Sequence, residues 1–340
     1  MSKIKSTTRN FKLIDNQQEW DSLIQESIDN HPLQLWGWGE QKINFGWQAY
    51  RIYSAPTNMA MQVLLKPIPG TRYLFGHIPR GPVRIHAQAT QAQSSKVKLQ
   101  DILKFFKMNH VTSLRFEPST LDSEVNPFII LNPSKTYSSH ILTNHTLVID
   151  LTQGIDEIRS GMSTSCRYSV NKSAKQTSIV SLLDHPEYYP DVYKIYQETA
   201  NKAGFGLYSF DYYKAQLTNM LGSLDVLISL DNQTGKPIAF LWNAYSRDIA
   251  FELYAGVSHQ GRKLRANYNL KYQAILNAKK RGQKVYDFNG RLNDRVDSFK
   301  QSFGPTIIDR VPTKKIALSH LDKPMESLEY IYRQYKRYRI

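Results

Sequence analysis

The chain has 340 residues, room for two domains of ordinary size each with its own core, which excludes a single small module. Lys and Arg number 44 against 29 Asp and Glu, a formal charge of +15 spread along the whole length, so polyanions head the expected partners: nucleic acid, a phosphorylated substrate or an anionic membrane face. One cysteine, Cys166, excludes an intramolecular disulfide and a cysteine-rich zinc site and fits a reducing cytoplasm; no apolar run approaches the ~20 residues that cross a bilayer.

In chain order, Trp20, Leu23, Ile24 and Ile28 follow Asn16 at helical spacing and predict a capped amphipathic helix. His31-Pro32 ends it, and a Trp-rich turn leads into a short helix ending near Lys42, whose plainer reading is a structural aromatic knot. Strands are expected at 47–53, 59–66 and 73–78, separated by Pro56-Thr57-Asn58 and by the turn from Pro67 to Gly70, as an antiparallel meander. A helix over 99–108 with Leu103 and Phe106 inward and a strand over 113–117, closed by Pro118, complete the first half. A weakly patterned connection follows, so the domains are expected to be 1–145 and 146–340. The second half opens with a strand at 146–151, helices at 155–162 and 166–175, an extended stretch at 179–183, and helices at 187–203 and 210–220. Strands at 225–230, 237–245 and 249–255, a helix at 266–281 and a strand at 284–288 then repeat the order of the first half. A tyrosine- and arginine-rich helix is expected from Glu326 to Ile340.

A repeated order of three antiparallel strands, a helix and one more strand predicts a duplicated α/β (mixed α+β) architecture with a ligand cleft. The nine histidines include no HExxH, no Walker lysine is present, and Gly204-Phe205-Gly206 has Ser209 where a dinucleotide motif needs its third glycine. No metal and no cofactor are expected. In the loop from His259 to Arg265 only Gly261 could free backbone amides for a pyrophosphate, while Arg262, Lys263 and Arg265 suit a phosphate met by side chains or a solvated turn. The segment from Tyr286 to Gly304 reads as a strand, a polar loop with Asn289, Gly290 and Arg291, and a short helix delivering Phe299, Lys300 and Phe303. That puts a cation between two aromatics, where it could meet an oxyanion or a phosphate, or else leaves a solvated lysine on an amphipathic helix.

Several stretches together resemble the Fem-type aminoacyltransferases, which transfer an amino acid from aminoacyl-tRNA to the stem peptide of a peptidoglycan precursor. They are Pro32-Leu33-Gln34, Trp38-Gly39-Glu40-Gln41-Lys42, Gly81-Pro82-Val83, Arg167 before a helix ending in Ala174-Lys175, Tyr254-Ala255-Gly256, the run from Ala278 to Gly282, Tyr286-Asp287-Phe288-Asn289-Gly290 and the run from Phe299 to Gly304. The resemblance covers nearly the whole chain and implies two tandem acetyltransferase-like (GNAT-type) domains without a coiled-coil arm. It implies that Lys42 holds precursor phosphate, that Tyr254 lines the substrate channel, and that Phe299 and Lys300 stand nearest the reacting ester, Lys300 stabilising negative charge. Glu117 stands where the family commonly has Asp and is a candidate proton acceptor; Arg167, Gly290 and Arg291 join the expected binding residues. Where a substrate-bound member of the family sets an arginine on a nucleotide diphosphate, four residues before a tyrosine, this chain has Tyr208 before Tyr212. The implied partners are aminoacyl-tRNA and a UDP- or lipid-linked muropeptide, for a cytoplasmic monomer with peripheral contact to the inner membrane face. The alternatives are an N-acyltransferase of the same fold using acyl-CoA or acyl carrier protein in envelope polysaccharide synthesis, and a non-catalytic RNA- or membrane-binding protein.

Overall fold

The structure is a computed structural model that describes residues 10–85, 92–121, 142–290 and 294–328. After β1 (Lys12–Leu13), the Asn16 carboxamide accepts the Glu19 amide at 2.9 Å and starts α1 (Gln17–Glu26), which buries Trp20 and Ile24. Next come α2 (Trp36–Ile43) and the antiparallel strands β2 (Gln48–Ser54), β3 (Met59–Pro67) and β4 (Leu74–Arg80), the expected meander; β5 (Val83–Arg84) pairs with β3. The helix α3 (Ala92–Met108) buries Ile102, Phe105 and Phe106, with Leu103 packed at the edge of that core. It leads to β6 (Val111–Pro118), which lies parallel to β4.

The second part comprises β7 (His145–Asp150), α4 (Ile155–Gly161), α5 (Thr164–Ala174), β8 (Thr177–Ser181), α6 (Tyr189–Ala203) and α7 (Phe210–Asn219). Then follow β9 (Leu224–Asp231), β10 (Pro237–Tyr245), β11 (Ile249–Val257), α8 (His259–Lys263), α9 (Ala266–Lys280), β12 (Val285–Asp287), α10 (Asp294–Gln301), β13 (Thr306–Asp309) and β14 (Lys314–Ala317). Among the described residues there are two seven-stranded sheets. One has the order β1-β2-β3-β4-β6-β14 with β5 on β3; the other is β13-β7-β12-β11-β10-β9-β8. In both, the third meander strand joins its parallel neighbour through a helical crossover, β4 to β6 by α3 and β11 to β12 by α8 and α9.

The chain divides into two units, 1–144 with 309–340 and 145–308. The first cut falls next to the expected boundary at 145. The assignment of everything from 146 onward to the second half does not hold, because β14 pairs antiparallel with β6 (Lys314↔Phe116 to Ala317↔Ser113) and buries Ile316 in the first core. A second difference lies at 259–265. What reads as a loop is the one-turn helix α8, capped by the Ser258 hydroxyl accepting the Gly261 amide at 3.1 Å. The helix expected from Glu326 begins earlier, at 322, and its described part ends at 328, with Glu326 bridging Arg115 and Lys315; the remainder lies outside the described residues. No helix among the described residues is long and apolar enough to cross a membrane.

Candidate active site

In the first unit the motif residues divide into a scaffold and two functional candidates. Gln34 is fully buried: its carboxamide donates to Pro79 O at 2.6 Å and accepts the Gln62 amide at 2.7 Å, and it leaves no space for a Cβ at Gly81. Arg51 lies 3.3 Å from the Trp36 ring centre and donates to Gln62 Oε1 and Glu40 Oε1, each at 2.9 Å. A Cβ at Gly39 would collide with that same pair, Gln62 Oε1 and the Arg51 guanidinium. The Pro-Leu-Gln, Trp-Gly-Glu and Gly-Pro stretches are therefore a polar clasp that fixes α2. From its last turn Lys42 reaches half-buried over the Trp38 ring, 4.3 Å from its centre, and burial, with Lys66 nearby, pushes its pKa down to about 7. Glu117 is buried on β6 and fully engaged. Its Oε2 meets His77 Nε2 at 2.9 Å and the Leu142 amide at 3.0 Å, and its Oε1 accepts the Thr313 hydroxyl at 3.0 Å.

In the second unit β11 and β12 pair in parallel only from Ile249↔Val285 to Phe251↔Asp287, after which they part. The end of β12 turns through two left-handed residues, Asn289 (φ 54°) and Gly290 (φ 81°). Thr146 holds the turn: its hydroxyl donates to Asp287 Oδ1 at 2.6 Å and accepts the Gly290 amide at 2.9 Å, while Asp287 Oδ1 also takes the Asn289 amide at 2.8 Å. Lys300 closes it from α10, its ammonium donating to Phe288 O at 2.7 Å and Gly290 O at 2.6 Å. An ammonium has three protons, so one N–H remains without an acceptor among the described residues. Lys300 is 6% exposed, and burial lowers its pKa to about 8, Glu252 opposing that fall and Lys271 adding to it.

Beside Lys300 stands a second buried cation that sequence reading missed. Lys271 on α9 is paired with Glu252, the first β11 residue past the last β12 rung, and Glu252 also accepts the Tyr286 hydroxyl at 2.8 Å. It is Lys271, and not Lys300 as the sequence suggested, that lies against aromatic rings, 4.8 Å from the Phe288 centre and 5.5 Å from that of Phe299. Burial lowers the Lys271 pKa against the pull of Glu252, and burial together with Glu252 raises that of Tyr286 well above 10.0. A signal for Lys271 existed: it shares an apolar helix stripe with Ala274, Ile275 and Ala278, all buried, where a lysine has no solvent to face. Glu252, in a run reading Phe-Glu-Leu-Tyr, looks like the solvated position of an alternating strand.

Tyr254 stands on β11 in an aromatic wall, its ring centre 5.1 Å from Tyr213, 5.7 Å from Tyr196 and 5.9 Å from Trp242; burial holds its hydroxyl neutral. Tyr208 stacks on Tyr212 at 4.0 Å and joins this wall as exposed aromatic surface. Arg167 turns back on the end of α4, donating to Ser160 O at 3.2 Å, to Met162 O and to Thr164 Oγ1 at 3.2 Å, a position that caps a helix. Arg291 lies outside the described residues. Lys42 and Glu117 belong to the first unit and Lys300, Phe299, Tyr254 and Gly290 to the second. No cluster of metal-binding side chains occurs among the described residues. The backbone at α8 is occupied internally: the amides of Gly261, Arg262, Leu264 and Arg265 bond to Ser258 Oγ, Ser258 O, Gln260 O and Arg262 O.

Two sheets, each with a parallel helical crossover, make this a tandem acetyltransferase-like fold of mixed α/β class, and solved structures agree. FemX superposes with a TM-score of 0.80 at 16% identity, over 94% of this chain and 99% of that one. A tandem GNAT protein from the clavulanic acid biosynthesis pathway gives 0.53 at 11% identity, over 91% and 99%. The L-PGS of Bacillus licheniformis gives 0.57 at 11%, over 93% and 96%. Within that class, residues 214–322 match the model of the FemAB family, which bears out the Fem-type resemblance over the segment that carries Glu252, Tyr254, Lys271 and Lys300. No curated protein matches the sequence.

Proposed function

We propose that the chain is an aminoacyltransferase that moves an amino acid from aminoacyl-tRNA to the stem peptide of a peptidoglycan precursor. The observation that carries this reading is the coincidence of the FemAB match, 214–322, with the buried Lys300–Lys271–Glu252 cluster at the parted strands. An aminoacyl ester is already activated, so the enzyme needs orientation and a cation for the developing oxyanion more than a covalent intermediate or a metal. Lys300 supplies that cation. Two carbonyls fix its ammonium, one N–H is left for the ester oxygen, and a pKa of about 8 keeps most of it charged at neutral pH while easing proton transfer to the departing ribose oxygen, the proton released by the attacking amine restoring the ammonium. Lys271 and Glu252 hold the local field, and Phe299 packs as the apolar floor against Tyr268 and Phe303.

Lys42 contributes to binding. A half-buried lysine whose pKa has fallen to about 7 gains charge when an anion arrives, which suits a precursor phosphate. The aromatic wall around Tyr254 lines the channel, with Tyr208 and Tyr212 offering stacking where an arginine would offer charge. Glu117, with both oxygens taken, positions His77 and the following backbone rather than accepting the amine proton. The internally bonded amides at α8 leave a poor cradle for the pyrophosphate of acyl-CoA, which speaks against the N-acyltransferase alternative. Incubation with labelled aminoacyl-tRNA and a UDP- or lipid-linked muropeptide should give tRNA-dependent transfer to the stem peptide. Absence of transfer from every aminoacyl-tRNA to either acceptor refutes the proposal.

A further inference from the structure

Between α5, α9 and the outer strands β8 and β9 the second unit holds a cavity of about 690 Å³ that shares no residue with the Lys300 cluster. One wall carries Asn269, Gln273 and Asn277, spaced i, i+4, i+8 on α9. Asn269 is 5% exposed, yet neither it nor the other two carboxamides has a side-chain hydrogen bond to any described residue. Carboxamides turned unpartnered into a cavity, each able both to donate and to accept, are matched by a ligand with the same alternating capacity. The facing wall includes Ile179 and Leu227, and Ser181, Asp184, Asp225 and Arg281 complete the lining. There Asp225 accepts the Ser181 hydroxyl at 3.2 Å, burial raises its pKa, and Arg281 and Asp184 act on it with opposite sign.

The spacing identifies the ligand class. Four helical residues rise ~6 Å, so the three carboxamides span ~12 Å. An extended peptide presents amide groups on one side every second residue, ~6.7 Å apart, and covers ~13 Å over the same two steps. A mismatch of ~1 Å is within the reach of flexible carboxamides. Among the described residues no aromatic ring lines the cavity, so it lacks the stacking surface that a nucleobase or a sugar uses, and two aspartates against one arginine make it unsuited to phosphate.

We propose that this cavity binds an extended peptide of about five residues, its main chain read by Asn269, Gln273 and Asn277 and its amino terminus lodged by Asp184 and Asp225. Nothing in this requires the transfer chemistry. The test follows the side-chain amide resonances of Asn269, Gln273 and Asn277 in the full chain while the pentapeptide Ala-Val-Ala-Val-Ala is added. Saturable shifts of all three are expected, with affinity weakened at least about fivefold by N-acetylation of the peptide and about tenfold by Gln273→Leu. Asn277→Ala gives a second, milder perturbation should Gln273→Leu fail to fold. A carboxy-amidated peptide separates the two sources of this chemistry: equal binding indicates the amino-terminal segment of a protein, and loss of binding a free oligopeptide. Shifts with maltotriose but not with the peptide, or no shifts with either, overturn the proposal.

Discussion

Glu252→Gln keeps the shape of the side chain and its bond to the Tyr286 hydroxyl but removes the charge paired with Lys271. Glu252 and Lys271 are 6% and 4% exposed, so the variant leaves a lysine buried without a counter-charge, a loss of about 3–5 kcal/mol for the second unit. The same change touches Lys300. Glu252 is the largest influence holding that lysine's pKa up against burial, so without it Lys300 titrates below its present value of about 8, and the alkaline limb of transfer moves to lower pH. The stability term can be read for this unit alone, because Trp242 is the single tryptophan of residues 145–308 among the five of the chain. With fluorotryptophan incorporated, the Trp242 fluorine resonance followed through a urea titration should reach its midpoint earlier by that amount. Adding Lys271→Met to Glu252→Gln removes the stranded charge and should recover at least about half of the loss, a coupling that a double-mutant cycle isolates. A loss below about 1 kcal/mol for Glu252→Gln, or strictly additive effects in the pair, would refute the buried ion pair as described.

Three further outcomes follow from the same geometry. Gly304→Ala drives a Cβ into Gly161 O at a residue with φ of 76°, and thermal unfolding should show the second unit destabilised by more than about 2 kcal/mol. Gln34→Ala strands the Gln62 amide and Pro79 carbonyl inside the first unit and should cost about 2–4 kcal/mol in urea unfolding, with no change at Trp242. Lys300 has a folded pKa of about 8 against an ordinary 10.5, so between those values the unfolded chain binds more protons and stability rises with pH. The difference in pH dependence between the natural chain and Lys300→Met should amount to as much as about 3 kcal/mol, complete by pH ~10.5, and a difference of the opposite sign would contradict the assignment.

Strong periodicity made the two meanders legible: the strands at Pro237–Tyr245 and Ile249–Val257 and the helix Ala266–Lys280 fall within two residues of where alternation and helical spacing put them. The four-residue strands Thr306–Asp309 and Lys314–Ala317 carry too little pattern to be seen. The return of the latter to β6 is a tertiary event that local sequence does not encode. Local spacing puts Lys300 between two aromatics, whereas the lysine that meets the rings, Lys271, comes from a helix 29 positions earlier in the chain, a juxtaposition that no local pattern encodes. Glu252 was invisible for a related reason: strand alternation distinguishes the two faces but does not show that a buried lysine from α9 meets Glu252 on its face. Motif resemblance likewise could not separate Gln34, whose part is to anchor, from Lys42, which projects from what Gln34 anchors.

The central claim, that Lys300 provides the cation for transfer, is tested most directly by single-turnover transfer from labelled aminoacyl-tRNA to a muropeptide acceptor with Lys300→Met, its fold checked by the Trp242 resonance. Loss of the oxyanion partner predicts a rate about 10²–10³-fold slower, with affinity for both substrates within about threefold of the natural chain and no alkaline limb near pH 8. A folded Lys300→Met chain that transfers within about threefold of the natural rate would contradict it.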